Sequence, residues 1–186
     1  MIDKNKIEIA IRDILQAIGE DVNRDGLLDT PKRVANMYEE IFCGIKDDPL
    51  KHVKTFKDIV SEEIIVIKDI PMHSMCEHHM MPFIGKVNIG YIPSDNTVMG
   101  LSKFGRIVDS FSKRLQIQER LTSQICDVIW NELRAKGVAV FISAEHMCMT
   151  MRGVKSIGSV TNTMSFKGIF EKDAQRRLEV ISILKD

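Results

Sequence analysis

Two short segments far apart in this chain carry most of its soft metal ligands: Met72-His73-Ser74-Met75-Cys76-Glu77-His78-His79 and Glu145-His146-Met147-Cys148. Four of the five histidines and two of the four cysteines lie within them. Thiolate and imidazole together suit Zn²⁺, and three such ligands with one open position describe a catalytic site. A fold that uses both segments must bring them to one point. Cys76 and His79 are close enough in sequence to grip one ion, and Cys148 completes a Cys₂His set. Spacing alone leaves His73, His78 or His146 open as a fourth ligand.

Hydrophobic periodicity supplies the elements. Ile7, Ile11, Ile14, Leu15 and Ile18 recur at helical spacing, and Gly19 stands where a C′ residue ends a helix. A second helix is predicted from Thr30-Pro31, with Val34, Met37, Tyr38 and Ile41 facing inward and Gly44 closing it. Residues 47–57 read as a polar connection, so a helical arm is expected over 1–60 and a second domain over 61–186. There the period changes. Strand patterns cover 63–70 and 86–92, helical ones 101–115 and 119–136 with Gly137 as the stop, and a long alternating strand 138–151. Another strand over 160–166 and a last helix over 173–184 follow. This order predicts an α+β domain, an antiparallel sheet with two central helices on one face.

Alternation along the long strand would put His146, Cys148, Thr150 and Arg152 on one face with Val138, Val140 and Ile142. Met147, Met149 and Met151 would then point the other way, as core filling rather than thioether ligands. Cys43 and Cys126 fall on apolar helical faces and are expected in the core. Irregularly spaced cysteines in a chain this long do not look like a disulfide framework, which favours a reducing, cytoplasmic setting.

Lys+Arg and Asp+Glu balance at 26 each, so no global field argues for nucleic acid or a membrane surface, and no apolar run is long enough for a span. Anion binding must come from a local cluster. Ser102, Lys103 and Arg106 share one face at the start of the first central helix, where free N–H groups and the dipole already favour phosphate. Arg152, Lys155 and Arg33 are further candidates. At the start of the second central helix stands Gln118-Glu119, and a carboxylate there can accept the paired N1–H and N2–H donors of guanine. The run from Asp21 to Asp29 imitates the front of an EF-hand loop, but Lys32 stands where its closing carboxylate belongs. It reads as an interhelical turn.

Taken together the motifs resemble the GTP cyclohydrolase I family. The resemblance is carried by Ser74-Met75-Cys76-Glu77-His78-His79, Gly100-Leu101-Ser102-Lys103-Phe104-Gly105-Arg106-Ile107-Val108, Gln116-Ile117-Gln118-Glu119-Arg120-Leu121-Thr122, His146-Met147-Cys148-Met149 with Arg152-Gly153, and Asp29-Thr30-Pro31-Lys32-Arg33-Val34-Ala35. It implies the tunnelling fold, a homodecamer of two stacked pentameric rings with active sites between subunits, and conversion of GTP and water to formate and 7,8-dihydroneopterin triphosphate. It implies Zn²⁺ on Cys76, His79 and Cys148, supplying hydroxide for attack at C8 of the purine, with His78 and His146 carrying protons. Glu119 would read guanine with Gln118 beside it. Ser102, Lys103, Arg106 and Arg152 would hold ribose and triphosphate, and Arg33 would reach the phosphates from a neighbouring chain. A related purine or pterin enzyme of the same fold, or a zinc-stabilised binding module, are the alternatives.

Overall fold

The computed structural model describes residues 2–57 and 63–185. These fall into two compact units that divide between Cys43 and Gly44. The arm boundary expected near residue 60 falls among residues 58–62, outside the described residues.

The first unit pairs two helices, α1 (Lys4–Ala17) and α2 (Thr30–Ile41). Asp3 caps α1 by accepting the Lys6 N–H at 3.1 Å, and Gly19 follows the helix at φ 89°. The EF-hand-like run is the turn between the helices, as expected. Pro31 and Ala35 are the buried residues of α2, whereas Met37, expected inward, is exposed. Cys43 is exposed too, because α2 stops at Ile41 and a 3₁₀ turn over Cys43–Ile45 carries it off the apolar face.

The second unit is built on strands β1 (Thr55–Phe56), β2 (Ile65–Cys76), β3 (Pro82–Ile92), β4 (Val98–Met99), β5 (Leu115–Gln116), β6 (Gly137–His146) and β7 (Thr161–Gly168). Its helices are α3 (Leu101–Ser112), α4 (Gln118–Leu133), the single turn α5 (Met147–Thr150), α6 (Ile169–Lys172) and α7 (Ala174–Lys185). The main sheet has the order β5-β2-β3-β6-β7; every pairing is antiparallel except the short one between β2 and β5. The α+β reading therefore holds, with a sheet that is mixed at one edge.

Strand alternation sorts the core. Val87, Ile89 and Tyr91 of β3 and Val138, Val140 and Ile142 of β6 face Phe104, Ile107 and Phe111 of α3 and Leu121, Ile125 and Ile129 of α4. The two central helices thus share one face. The opposite face carries a smaller cluster in which Ala139 and Phe141 meet Phe170, Val180 and Leu184 from α6 and α7. Cys126 lies fully within the larger cluster, as expected.

Several boundaries move: β2 runs on to Cys76 instead of stopping near Ile70, β3 begins at Pro82 instead of Lys86, and the ends of α4 and β6 shift for reasons that can be named. Helix α4 ends in Arg134, left-handed at φ 47°, rather than at Gly137. Gly137 instead opens β6, where a Cβ would come within 2.7 Å of Ile169. The long strand stops at His146, and residues 147–150 form a helical turn. Its partner strand begins at Pro82, which has no N–H to offer, and the last pairing is Phe83 with His146. Beyond that pair the ladder has run out.

Candidate metal and active site

Cys76 ends β2, on the same face as the buried residues Met72 and Ser74. A tight turn follows in which Met80 (φ 51°) donates its N–H to the Cys76 carbonyl at 2.9 Å, and the Cys76 N–H returns to the Met81 carbonyl at 2.8 Å. This turn puts His78 and His79 beside Cys76. The α5 turn brings Cys148 to the same place. The ligand atoms of Cys76, His79 and Cys148 all lie within 4.8 Å of one another.

The strand parity expected for Cys148 is therefore wrong, although its result, a thiol beside Cys76, is reached through a helical turn. The same turn overturns the expected burial of the methionines. Met149 is 37% exposed and Met151 73% exposed, so neither fills the core. His73 sits on the outward face of β2 and is exposed, away from the cluster. Among the described residues, the group that could hold a metal is Cys76, Cys148 and His79, which are buried, half-buried and exposed respectively.

The chemistry of this donor set suits a soft cation. Burial pushes the Cys148 thiol up, the Cys76 sulfur beside it pushes the same way, and Arg152 pulls weakly against them. Two thiolates this close repel unless a positive charge lies between them. A divalent cation supplies that charge and turns both sulfurs into ligands. The side toward His79 is open to solvent.

Proton-carrying groups border the cluster. His78 Nδ1 lies 3.8 Å from Cys76 Sγ. His146, half-buried at the end of β6, is stacked flat on Phe83 with ring centroids 4.6 Å apart. Burial lowers the pKa of its imidazole, and the Glu119 carboxylate opposes that. Arg152 donates from Nη1 to His79 Nε2 at 3.3 Å. Glu77 is paired with Arg120, which ties the turn after β2 to α4.

The phosphate candidates lie elsewhere. Ser74 Oγ donates to the Ser112 carbonyl at 2.8 Å, so the C-terminal end of α3 is the end near Cys76. Ser102 starts the helix about 15 Å away at 1.5 Å per residue. Near that start, Phe104 meets Tyr91, whose strand partner is Ile65 at the far end of β2. Ser102 and Arg106 are exposed and Lys103 half-buried, forming a basic face that one chain does not bring to the metal ligands. Arg33, in the first unit, is exposed and paired with Asp29 at 3.4 Å.

Glu119 is exposed in the first turn of α4, as a base reader must be, but Gln118 is 1% exposed with its amide engaged inside the protein. Sequence reasoning missed Phe83 against His146 and Thr163 against Gln118; both contacts depend on how distant strands pair.

Comparison with known proteins assigns the chain to a family. The family model for GTP cyclohydrolase I matches residues 7–185. GTP cyclohydrolase 1 of Carboxydothermus hydrogenoformans is 55% identical over 184 residues, covering 99% of this chain and 96% of the relative. The enzyme of the same name from Thermoanaerobacter pseudethanolicus is 54% identical, covering 99% and 98%. That of Bacillus pumilus is also 54% identical, covering 100% and 98%. A solved archaeosine synthase QueF-Like in the apo form aligns with TM-score 0.49 at 19% identity, covering 59% of this chain and 97% of that one. On the match across nearly its whole length, the chain belongs to the GTP cyclohydrolase I family.

Proposed function

We propose that Cys76, His79 and Cys148 hold a catalytic Zn²⁺ and that the surrounding residues open the imidazole ring of GTP. As a member of its family the chain is a hydrolase that converts GTP to 7,8-dihydroneopterin triphosphate. The observation that carries the site assignment is the clustering of two thiols and one imidazole, with an open side toward solvent. Zinc at such a site supplies Lewis acidity and lowers the pKa of water toward neutrality.

The chain's own groups do the rest. His78 and His146 take and return protons as the ring opens and formate leaves, a task suited to imidazoles near neutral pH. Glu119 accepts the paired donors of guanine. Arg152, beside His79, meets the anionic part of the substrate. Ser102, Lys103 and Arg106 bind ribose and triphosphate at a helix start, and Arg33 adds a guanidinium from another chain.

Because the basic face of α3 stands at the other end of the sheet from the metal ligands, a complete site calls for a second copy. This supports an assembly with active sites between subunits. We assign it as two stacked pentameric rings, the tunnelling fold of the family, with residues 1–60 as a helical arm and 61–186 as the catalytic domain. No described helix is long and apolar enough to cross a membrane, and we place the enzyme in the cytoplasm.

The test is direct. Protein incubated with GTP should release formate from C8 and yield a pterin that fluoresces after oxidation. Release of formate without a pterin product would contradict the assignment.

A further inference from the structure

Gln118 is the first residue of α4, yet its side chain is buried and every polar atom of its amide is engaged. The amide nitrogen lies 3.1 Å from the Ile142 carbonyl, 2.9 Å from the Thr161 carbonyl and 3.0 Å from Thr163 Oγ1. The amide oxygen lies 2.7 Å from His146 Nε2. Two of the three groups facing the nitrogen are backbone carbonyls, which only accept. The amide must therefore present its NH₂ to them.

The hydroxyls agree. Thr122 donates to the Gln118 carbonyl at 2.7 Å. In the 2.6 Å contact between Thr122 and Thr163, the proton thus comes from Thr163. That leaves Thr163 Oγ1 free to accept from Gln118. With the NH₂ fixed on that side, the Gln118 oxygen faces His146 and has no proton to give. The hydrogen bond forms only if His146 Nε2 carries a proton. In the neutral ring Nδ1 then holds the free lone pair. Phe83, stacked at an interplanar angle of 1°, holds the plane of the ring.

We propose that Gln118 is a positioning residue that acts through His146. It fixes the ring in the Nε2–H tautomer, leaves Nδ1 as the basic nitrogen, and does not touch the substrate. Its role differs from that of the adjacent Glu119, whose carboxylate is exposed. The inference rests on the reading of His146 as a proton carrier.

The experiment is a double-mutant cycle on the zinc-loaded enzyme, using Gln118→Met, His146→Ala and the pair. Zinc content and thermal unfolding serve as checks on folding. Gln118→Met should lower kcat by up to roughly a hundredfold, the lower end of what a positioned proton-transfer group contributes. KM for GTP should stay within about twofold, because substrate binding loses no contact. In the His146→Ala background the same change should cost nothing further, since its target is gone. A raised KM with kcat unchanged, or a full multiplicative loss in the double variant, would overturn the proposal. Wild-type kcat in His146→Ala alone would instead overturn the reading beneath it. Should Gln118→Met fail to fold, Thr163→Val removes one amide acceptor and leaves Gln118 in place. Its kcat loss should be smaller and should vanish in the His146→Ala background; a loss that persists there refutes the coupling.

Discussion

Phe83 lies flat against His146, rings parallel to within 1° and centroids 4.6 Å apart, at the last pairing between β3 and β6. The contact joins the fully buried end of the core to a group at the edge of the candidate metal centre. One side chain thereby serves packing and orientation together.

Replacing Phe83 by Leu keeps an apolar filler but removes the flat face. The expected result is a stability loss of about 1–2 kcal/mol in urea unfolding. Steady-state kinetics should show kcat falling more than KM rises, with zinc content unchanged. A variant with wild-type kcat would show that the stack does not orient the imidazole.

His73 and His79 separate the ligand set from its sequence neighbours. His73 faces away on β2, whereas His79 lies with the two thiols. Metal analysis of purified variants should find zinc retained in His73→Ala and lost in His79→Ala. The reverse pattern would require a different turn after β2.

Asp47 offers a pH-dependent prediction away from the active site. Burial would raise the pKa of its carboxyl, but hydrogen bonds from Lys51 and His52 outweigh this and hold it well below the usual range. A carboxylate with a depressed folded pKa stabilises fully above its unfolded value, and that contribution fades as pH falls below about 4. Asp47→Asn should therefore lower Tm near neutral pH and flatten the acid side of the Tm profile. Parallel profiles for the two proteins would contradict the pairing.

The thiols should divide by environment. Burial pushes Cys126 up to about 11, leaving almost no thiolate at neutral pH. Alkylation followed by peptide mass mapping should modify Cys126 only after unfolding, and Cys76 and Cys148 after chelation. Labelling of Cys126 in the native protein would mean that the larger core is not closed around it.

Local pattern carried much of this fold into view. Helical spacing located both N-terminal helices and the two central ones, and alternation grouped Val138, Val140 and Ile142 on one face, which the structure covers with α3 and α4. What escaped it was non-local. The end of β6 is set by Pro82 on its partner strand, far away in sequence, so the turn that delivers Cys148 could not be read from residues 138–151 alone. Cys43 looked like a core residue until α2 stopped just before it. Gln118 looked like a companion to Glu119 because a helix start is ordinarily exposed. Only the approach of β6 and β7 turns its amide inward. The ligand types were legible, but the distance between the basic face of α3 and the metal cluster was not, since it depends on which end of β2 each approaches.

The most direct test of the account is GTP turnover in the purified enzyme before chelation, after chelation, and after zinc readdition, with Cys148→Ala alongside. Activity should disappear with the metal and return with it, and Cys148→Ala should lack both zinc and turnover while keeping its fold. Sustained formate release from the metal-free protein, or full activity in Cys148→Ala, would contradict the assignment of Cys76, His79 and Cys148 as the catalytic metal site.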